Sequence, residues 1–437
     1  MTKVRFGTGL WIFQGLFWAR TGMGAIPASL KSPYKPGIAV GETLLYLGLP
    51  IGLTENPGIM KIAVIILGSL LFAGLGAPAQ TTAKEWFDKG KSFQDNKKYT
   101  EAESAYKKAV LLKPDYTEAL HELGWCYNEQ AMYNEALDVL KKEEKNNPKD
   151  KAQNYFEIGY SYKMLTKYDE ALTYLTRATS LNPNYGLAYK EIGNCYFAGK
   201  EYQKALDNYN KYRDLKPEIN DSKFYYNKGW CENELGLFSD ATVSLRKSTD
   251  LDNTNSIAYS ELGYAYFKLK FNDEAISNYQ KAIALNKTDH ASILGIADTY
   301  YDNLKNYDSA MAYYERGVRL TQKNKGAYYR LGWCYNDKER FKDAVFPLQQ
   351  ALLLDPEYAK ARTDLGYSYY KLKDYENALS QFRTIMEKDS KDELSRYYAG
   401  FCYYLKGDQP SLQKVYNELK ELGSKYAETL SKYINNK

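Results

Sequence analysis

The sequence predicts an all-α solenoid of about ten stacked repeats. The stretch Gly124-Trp125-Cys126-Tyr127-Asn128-Glu129 returns as Gly229-Trp230-Cys231-Glu232-Asn233-Glu234 and as Gly332-Trp333-Cys334-Tyr335-Asn336-Asp337, at intervals of 105 and 103 residues. Within those intervals, small and aromatic residues return in register every 34 to 36 residues. Tyrosine is over-represented, with 44 in 437 residues. Its large ring and polar tip suit half-buried helix seams and groove walls. A chain of this length would ordinarily hold two to four globular domains, but stacked units touch only their neighbours and escape that limit.

Composition narrows the partner. The formal net charge is +5, yet residues 1–79 carry six bases and two acids, which is +4 of it. The remaining 53 bases and 52 acids nearly cancel. A nucleic-acid partner needs a basic surplus to displace counterions. The repeat region has none, so no nucleic acid is expected.

Residues 1–59 are rich in Gly, Pro and apolar residues without a sustained helical or strand period. Met60-Lys61 then opens an apolar run from Ile62 to Leu75, followed by Ala77-Pro78-Ala79. One basic residue, an apolar stretch and a small-x-small site have the form of a secretory signal peptide over 60–79. On this reading Met60 is the initiator, residues 1–59 are translated upstream sequence, and the mature protein is exported to the periplasm or beyond the cell. N-terminal sequencing decides it: a mature start at Gln80 or Thr81 supports export and a start at Met1 sinks the idea. The competing reading is membrane association through an uncleaved 62–77, although that stretch is short for a span of about 20 residues.

From Ala83 the chain follows one rule. With Ala83 as position 1, an aromatic falls at position 4 (Trp86), Gly at 8 (Gly90), an aromatic at 11 (Phe93), Ala at 20 (Ala102), an aromatic at 24 (Tyr106) and Pro at 32 (Pro114). The frame restarts at 117, 152, 186, 222, 256, 290, 325, 359 and 393, which extends the repeats over 83–423. Position 8 is Gly in every unit but the seventh, which has Ala297; position 20 is Ala in eight of the ten. This spacing resembles the tetratricopeptide repeat, a helix–turn–helix unit of about 34 residues. The resemblance implies a right-handed superhelix. Two units depart from the pattern: the seventh has an extra residue near Lys305-Asn306, and the tenth has Leu412 where Ala is expected.

Close packing explains the pattern. Gly and Ala at positions 8 and 20 let the two helices of a unit approach, and large residues at 4, 11 and 24 fill the seams beside them. Pro at position 32 (Pro114, Pro148, Pro183, Pro217, Pro356) stops the second helix. Beyond the tenth unit, Tyr426, Leu430 and Tyr433 keep helical spacing among Lys and Glu, so a capping helix is expected over 424–437.

Little in the chain suggests catalysis. The two histidines, His121 and His290, are far apart, and no HExxH, CxxC, GxSxG, Walker or dinucleotide motif occurs. No cofactor and no metal are expected. The five cysteines, Cys126, Cys195, Cys231, Cys334 and Cys402, all sit at position 10. Equivalent positions in adjacent repeats lie about 10 Å apart, beyond the roughly 7 Å a disulfide allows, so these residues read as seam filling.

The candidate groove comes from the same hexapeptides. The resemblance implies that positions 9, 12 and 13 of each first helix face the concave side, and i, i+3 and i+4 share one helix face. There the chain places Trp125, Asn128 and Glu129; Trp230, Asn233 and Glu234; and Trp333, Asn336 and Asp337. The following unit presents Tyr160, Tyr264 and Tyr367 at position 9. A block of three repeats has therefore been used three times. Some relatives hold a C-terminal carboxylate in a clamp of Lys and Asn. Lys190 and Asn194 match its first pair, but Trp230, Ile257 and Glu261 break the remainder, so no clamp is expected.

Together these features predict a non-catalytic scaffold that holds a peptide or protein segment in an aromatic groove. The resemblance adds a place in cell-envelope assembly or complex formation. A glycan is the alternative ligand, because Trp and Tyr faces with amides and acids also suit sugar rings. A third possibility, an acid pair made by Glu129 and Glu234, requires two residues in different units to converge.

Overall fold

The computed structural model describes residues 81–434; the segments read as upstream sequence and signal peptide, including 62–77, lie outside them. Among the described residues every regular element is helical. The helices pair as α1 (Ala83–Asp95) with α2 (Tyr99–Leu112), α3 (Thr117–Glu129) with α4 (Tyr133–Lys145), and α5 (Lys151–Met164) with α6 (Tyr168–Leu181). Next come α7 (Gly186–Ala198) with α8 (Tyr202–Leu215), α9 (Ser222–Glu234) with α10 (Phe238–Leu251), and α11 (Ser256–Lys268) with α12 (Asn272–Leu285). Then follow α13 (His290–Asp298) with α14 (Tyr307–Leu320), α15 (Lys325–Asp337) with α16 (Phe341–Leu354), and α17 (Ala359–Lys371) with α18 (Tyr375–Lys388). The series closes with α19 (Glu393–Lys406), α20 (Gln409–Glu421) and α21 (Lys425–Ile434). Each helix packs on the next, and most first helices of successive units also touch. That is the connectivity of a solenoid of ten helix–turn–helix repeats.

The small residue at position 8 sets the helix separation. A Cβ on Gly332 would lie 2.5 Å from Leu348 Cγ, and Leu348, at position 24 of the same unit, is fully buried. Burying a side chain of this kind is worth about 1.5–3 kcal/mol, and only Gly lets the facing backbone come so near. In the tenth unit Gly400 packs against Leu430 of α21. The last helix thus supplies apolar cover for the tenth unit.

Each turn within a unit places one residue in the left-handed region. Only Gly236 (φ 76°) and Gly407 (φ 76°) are glycines there; Ala131 (φ 59°) and Glu339 (φ 56°) adopt it as L-residues. After α3, Met132 N–H donates to Tyr127 O at 2.8 Å and Ala131 N–H to Asn128 O at 3.1 Å. These bonds satisfy carbonyls that the helix end would leave open.

The seventh unit differs from the sequence reading in one respect. Its extra residue, expected near Lys305-Asn306, is absorbed earlier, in a π-helical turn over Thr299–Asn303. The wide turn keeps Ala310 and Tyr314 buried in the small and large positions of α14. Arg330 of α15 pins it, donating to Asp298 at 2.6 Å and to Asp302 at 2.9 Å. The five cysteines are free and buried. Burial pushes the Cys126, Cys195, Cys231, Cys334 and Cys402 thiols up to about 12, so they act as small apolar fillers.

Candidate ligand groove

The C-terminal end of α15, the turn after it, the first residue of α16 and the middle of α17 surround a cavity of about 310 Å³. Trp333, Asn336 and Asp337 of α15 and Tyr367 of α17 line it, so four of the residues singled out from sequence come together. Phe341 and Asp364 complete the walls, with Glu339 at the rim.

The aromatic walls are held edge to face. The Trp333 ring meets Tyr301 at 5.3 Å and Tyr307 at 4.9 Å between centroids. Phe341 meets Tyr367 at 5.9 Å with planes 81° apart. Contacts of this kind add about 0.5–1.5 kcal/mol beyond burial and fix the ring directions. Lys371 places its ammonium 5.2 Å from the Phe341 centroid and 5.9 Å from that of Tyr367.

The asparagines do a different job from the tryptophans. Asn336 Nδ2 donates to Asp364 O at 3.1 Å and its Oδ1 accepts from Ser368 Oγ at 2.7 Å. Asn128 is buried; its Nδ2 donates to Glu157 Oε2 at 2.8 Å, and its Oδ1 accepts from Ser161 Oγ at 2.7 Å. Asn233, also buried, donates to Glu261 O at 3.0 Å and to Glu261 Oε2 at 2.9 Å. All three amides buckle one repeat to the next. The partner acid of each bond sits at position 6 of the following first helix.

Those acids, Glu157, Glu261 and Asp364, form a second layer behind the exposed Glu129, Glu234 and Asp337. Burial pushes the Glu157 carboxyl above the ordinary carboxylate range, opposed by the Asn128 hydrogen bond and His121 and reinforced by Glu129 and Glu143. Burial raises Glu261 likewise, against the Asn233 bond and with the charge of Glu234. Asp364 is pushed up to about 6 by burial, partly offset by a hydrogen bond with Tyr329. Carboxylates shielded from water with another carboxylate near them hold their charge reluctantly.

The second block repeats the arrangement and the first repeats part of it. Trp125 meets Tyr99 edge-on at 5.6 Å, and Trp230 meets Phe197 at 6.0 Å and Tyr226 at 5.7 Å. Tyr264, 39% exposed, meets Phe238 at 6.0 Å beneath Lys268. Tyr160 stacks on Phe156 with Lys163 4.4 Å from its centroid. Glu129 and Glu234 do not form a joint pair. Glu129 acts on Glu157 and Glu234 on Glu261, each within its own block.

Two sets of wall residues escaped the sequence reading: Tyr133, Phe238 and Phe341 at the start of the second helices, and Glu157, Glu261 and Asp364. The block period carried the signal, since 133, 238 and 341 are spaced as the hexapeptides are, and 157, 261 and 364 lie 104 and 103 apart. Among the described residues no group of three His, Cys, Asp or Glu is placed to hold a metal ion. Nor is any helix there long and apolar enough to cross a membrane.

Comparison with known proteins follows the repeats. Family models described as tetratricopeptide repeat match residues 93–154, then 156–218, 294–353 and 347–393, and 256–289. Heat shock protein STI1 of Saccharomyces cerevisiae is 33% identical over 108 residues, 25% of this chain and 18% of that protein. Hsp70-Hsp90 organizing protein of Triticum aestivum is 22% identical over 243 residues, 47% of this chain and 42% of that protein. The match thus spans less than half of either relative. Among solved structures, that of MamA aligns with 39% of this chain and 97% of its own, at 29% identity and a TM-score of 0.35.

Proposed function

The chain belongs to the tetratricopeptide repeat family, and on that premise we propose that it is a non-catalytic scaffold whose aromatic groove holds a peptide or protein segment. The observation that carries the reading is the cavity of about 310 Å³ that joins Trp333, Asp337 and Tyr367 from two neighbouring repeats. Rigid aromatic rings supply contact area at small entropy cost, and carboxylates at the rim fix register. An extended segment laid across the first helices would meet such a site in each block. The relatives support this, since one is described as organizing Hsp70 and Hsp90. The amides of Asn128, Asn233 and Asn336 are spent between repeats, which leaves fewer groups to read the hydroxyls of a sugar and favours a polypeptide.

The same reading puts the scaffold outside the cytoplasm, in envelope assembly or complex formation, on the strength of Met60 to Ala79. Affinity capture with the exported protein and with its Trp333→Ala variant tests the groove. A protein partner held by the former and lost by the folded variant is expected. Equal capture by both would put the binding surface elsewhere, and glycan-array signals without a protein partner would favour the sugar.

A further inference from the structure

We infer that the groove takes a basic polypeptide segment, whose Lys or Arg side chains enter one aromatic–acid cup in each three-repeat block. This rests on the scaffold reading above and adds the chemistry of the partner. The first ground is unbalanced charge. Glu129, Glu234 and Asp337 are exposed at the cup mouths. Among the described residues none of them makes a hydrogen bond or an ion pair. In the third block Lys338 pairs with Asp308 at 2.9 Å and Arg340 with Asp343 at 2.8 Å. In the first block Lys163 pairs with Glu191 at 2.6 Å.

The second ground is that another carboxylate stands behind each mouth. Glu157, Glu261 and Asp364 are drawn into the wall by helix packing, and two of them are tied to the seam asparagines. The charge of Glu129 acts on Glu157 and that of Glu234 on Glu261, and this repulsion weighs on the free protein until a cation enters between them. The third ground is the ring geometry. Phe341 with Tyr367, and Phe238 with Tyr264, already hold an ammonium of their own chain, from Lys371 and Lys268. Neither lysine makes an ion pair among the described residues. These rings are therefore set to face a cation, while Glu129, Glu234 and Asp337 beside them form no ion pair among the described residues.

The period gives the ligand a length. First helices of adjacent repeats lie about 10 Å apart, so two cups are about 30 Å apart along the row. An extended chain covers that in about nine residues. A segment of about 20 residues reaches all three cups, and a short one reaches only one.

Tryptophan fluorescence of the mature repeat protein, titrated with 20-residue and 5-residue polylysine, tests the inference against 20-residue polyglutamate and an uncharged Gly-Ser peptide. The expected result is tight binding of the long basic probe, at least tenfold tighter than the short one. Glu129→Gln, Glu234→Gln and Asp337→Asn should each weaken it about threefold to tenfold, and their combination should abolish it. A control with the same charge change, Glu135→Gln with Glu170→Gln and Glu274→Gln on the second helices, should bind as the parent does. Equal losses in both triple variants would reduce the effect to overall charge and overturn the cups. Preferred binding of the acidic or uncharged probe would overturn the cationic ligand while leaving the scaffold intact. A groove that takes none of the probes would overturn the cationic ligand too, and only if Trp333→Ala also captured its partner normally would the scaffold reading fall with it.

Discussion

Ser161 Oγ donates to Asn128 Oδ1 at 2.7 Å across the seam between the second and third repeats. Ser368 and Asn336 make the same bond at 2.7 Å in the third block. In the second block Ala265 stands where the serine would be, and the buried Asn233 Oδ1 has no hydrogen-bond partner. A buried acceptor left open costs about 1–3 kcal/mol. Ala265→Ser should therefore stabilise the array by about 1 kcal/mol, and Ser161→Ala should destabilise it by a similar amount or more. Urea unfolding of both variants checks the pair.

The left-handed turn residue offers a test free of packing. A Cβ added at Gly236 would meet no atom within 4 Å, so Gly236→Ala should cost about 1 kcal/mol through the backbone alone. Ala131→Gly should gain a similar amount at the equivalent turn. Opposite shifts in the unfolding midpoint are expected.

Glycine at position 8 is a different matter, because there the obstacle is a neighbour. Gly332→Ala should destabilise by about 1–3 kcal/mol, since the new methyl meets Leu348 at 2.5 Å. Gly400→Ala should act on α21, whose Leu430 fills the same place. Amide exchange in α21 should then accelerate while exchange in α3 stays unchanged.

Two groups give pH dependences of defined sign. Burial pulls the His121 imidazole down, but its hydrogen bond with Glu143 and the charges of Glu143, Glu157 and Glu122 prevail and hold it above its ordinary value. A raised histidine stabilises the fold fully below its unfolded value of about 6.5, and that contribution is lost as pH rises through the folded value. His121→Gln should therefore cost more stability at pH 5.5 than at pH 8.5. Asp364 is an acid held at about 6 by burial, so its charge is a penalty at neutral pH that fades as pH falls towards 4. Asp364→Asn should stabilise at pH 7.5, on the order of 2–3 kcal/mol, with the gain gone near pH 3.5. Urea midpoints across this range check both.

Trp333→Ala separates binding from folding. The ring is half-buried against Tyr301 and Tyr307, so its loss should cost about 3 kcal/mol locally. In a stack the other repeats still hold. Circular dichroism should stay helical while partner affinity falls at least tenfold.

The groove was only partly legible in the sequence. Trp333, Asp337 and Tyr367 were found because large aromatics and acids at a fixed period stand out against packing needs. Asn128, Asn233 and Asn336 were found by the same signal, yet their amides serve the seam. A helical wheel gives the direction of a side chain but not the group that meets it, and here the partners, Glu157, Glu261 and the Asp364 carbonyl, lie 28 or 29 residues onward. Phe341 was missed because position 17 opens the second helix and joins the wall only when the turn folds back.

By itself the sequence determined the ten-unit α-solenoid, the block of three and the burial of every cysteine. Those features depend on spacing along one helix and on contacts between adjacent units, so a period of 34 to 36 residues carries them in full. Tertiary structure alone decided which acid stands behind which, which amide is spent, and how the seventh unit absorbs its extra residue. Each of these turns on how far one helix slides and rotates against the next, and a shift of a few ångströms there exchanges a hydrogen bond for an open carboxylate.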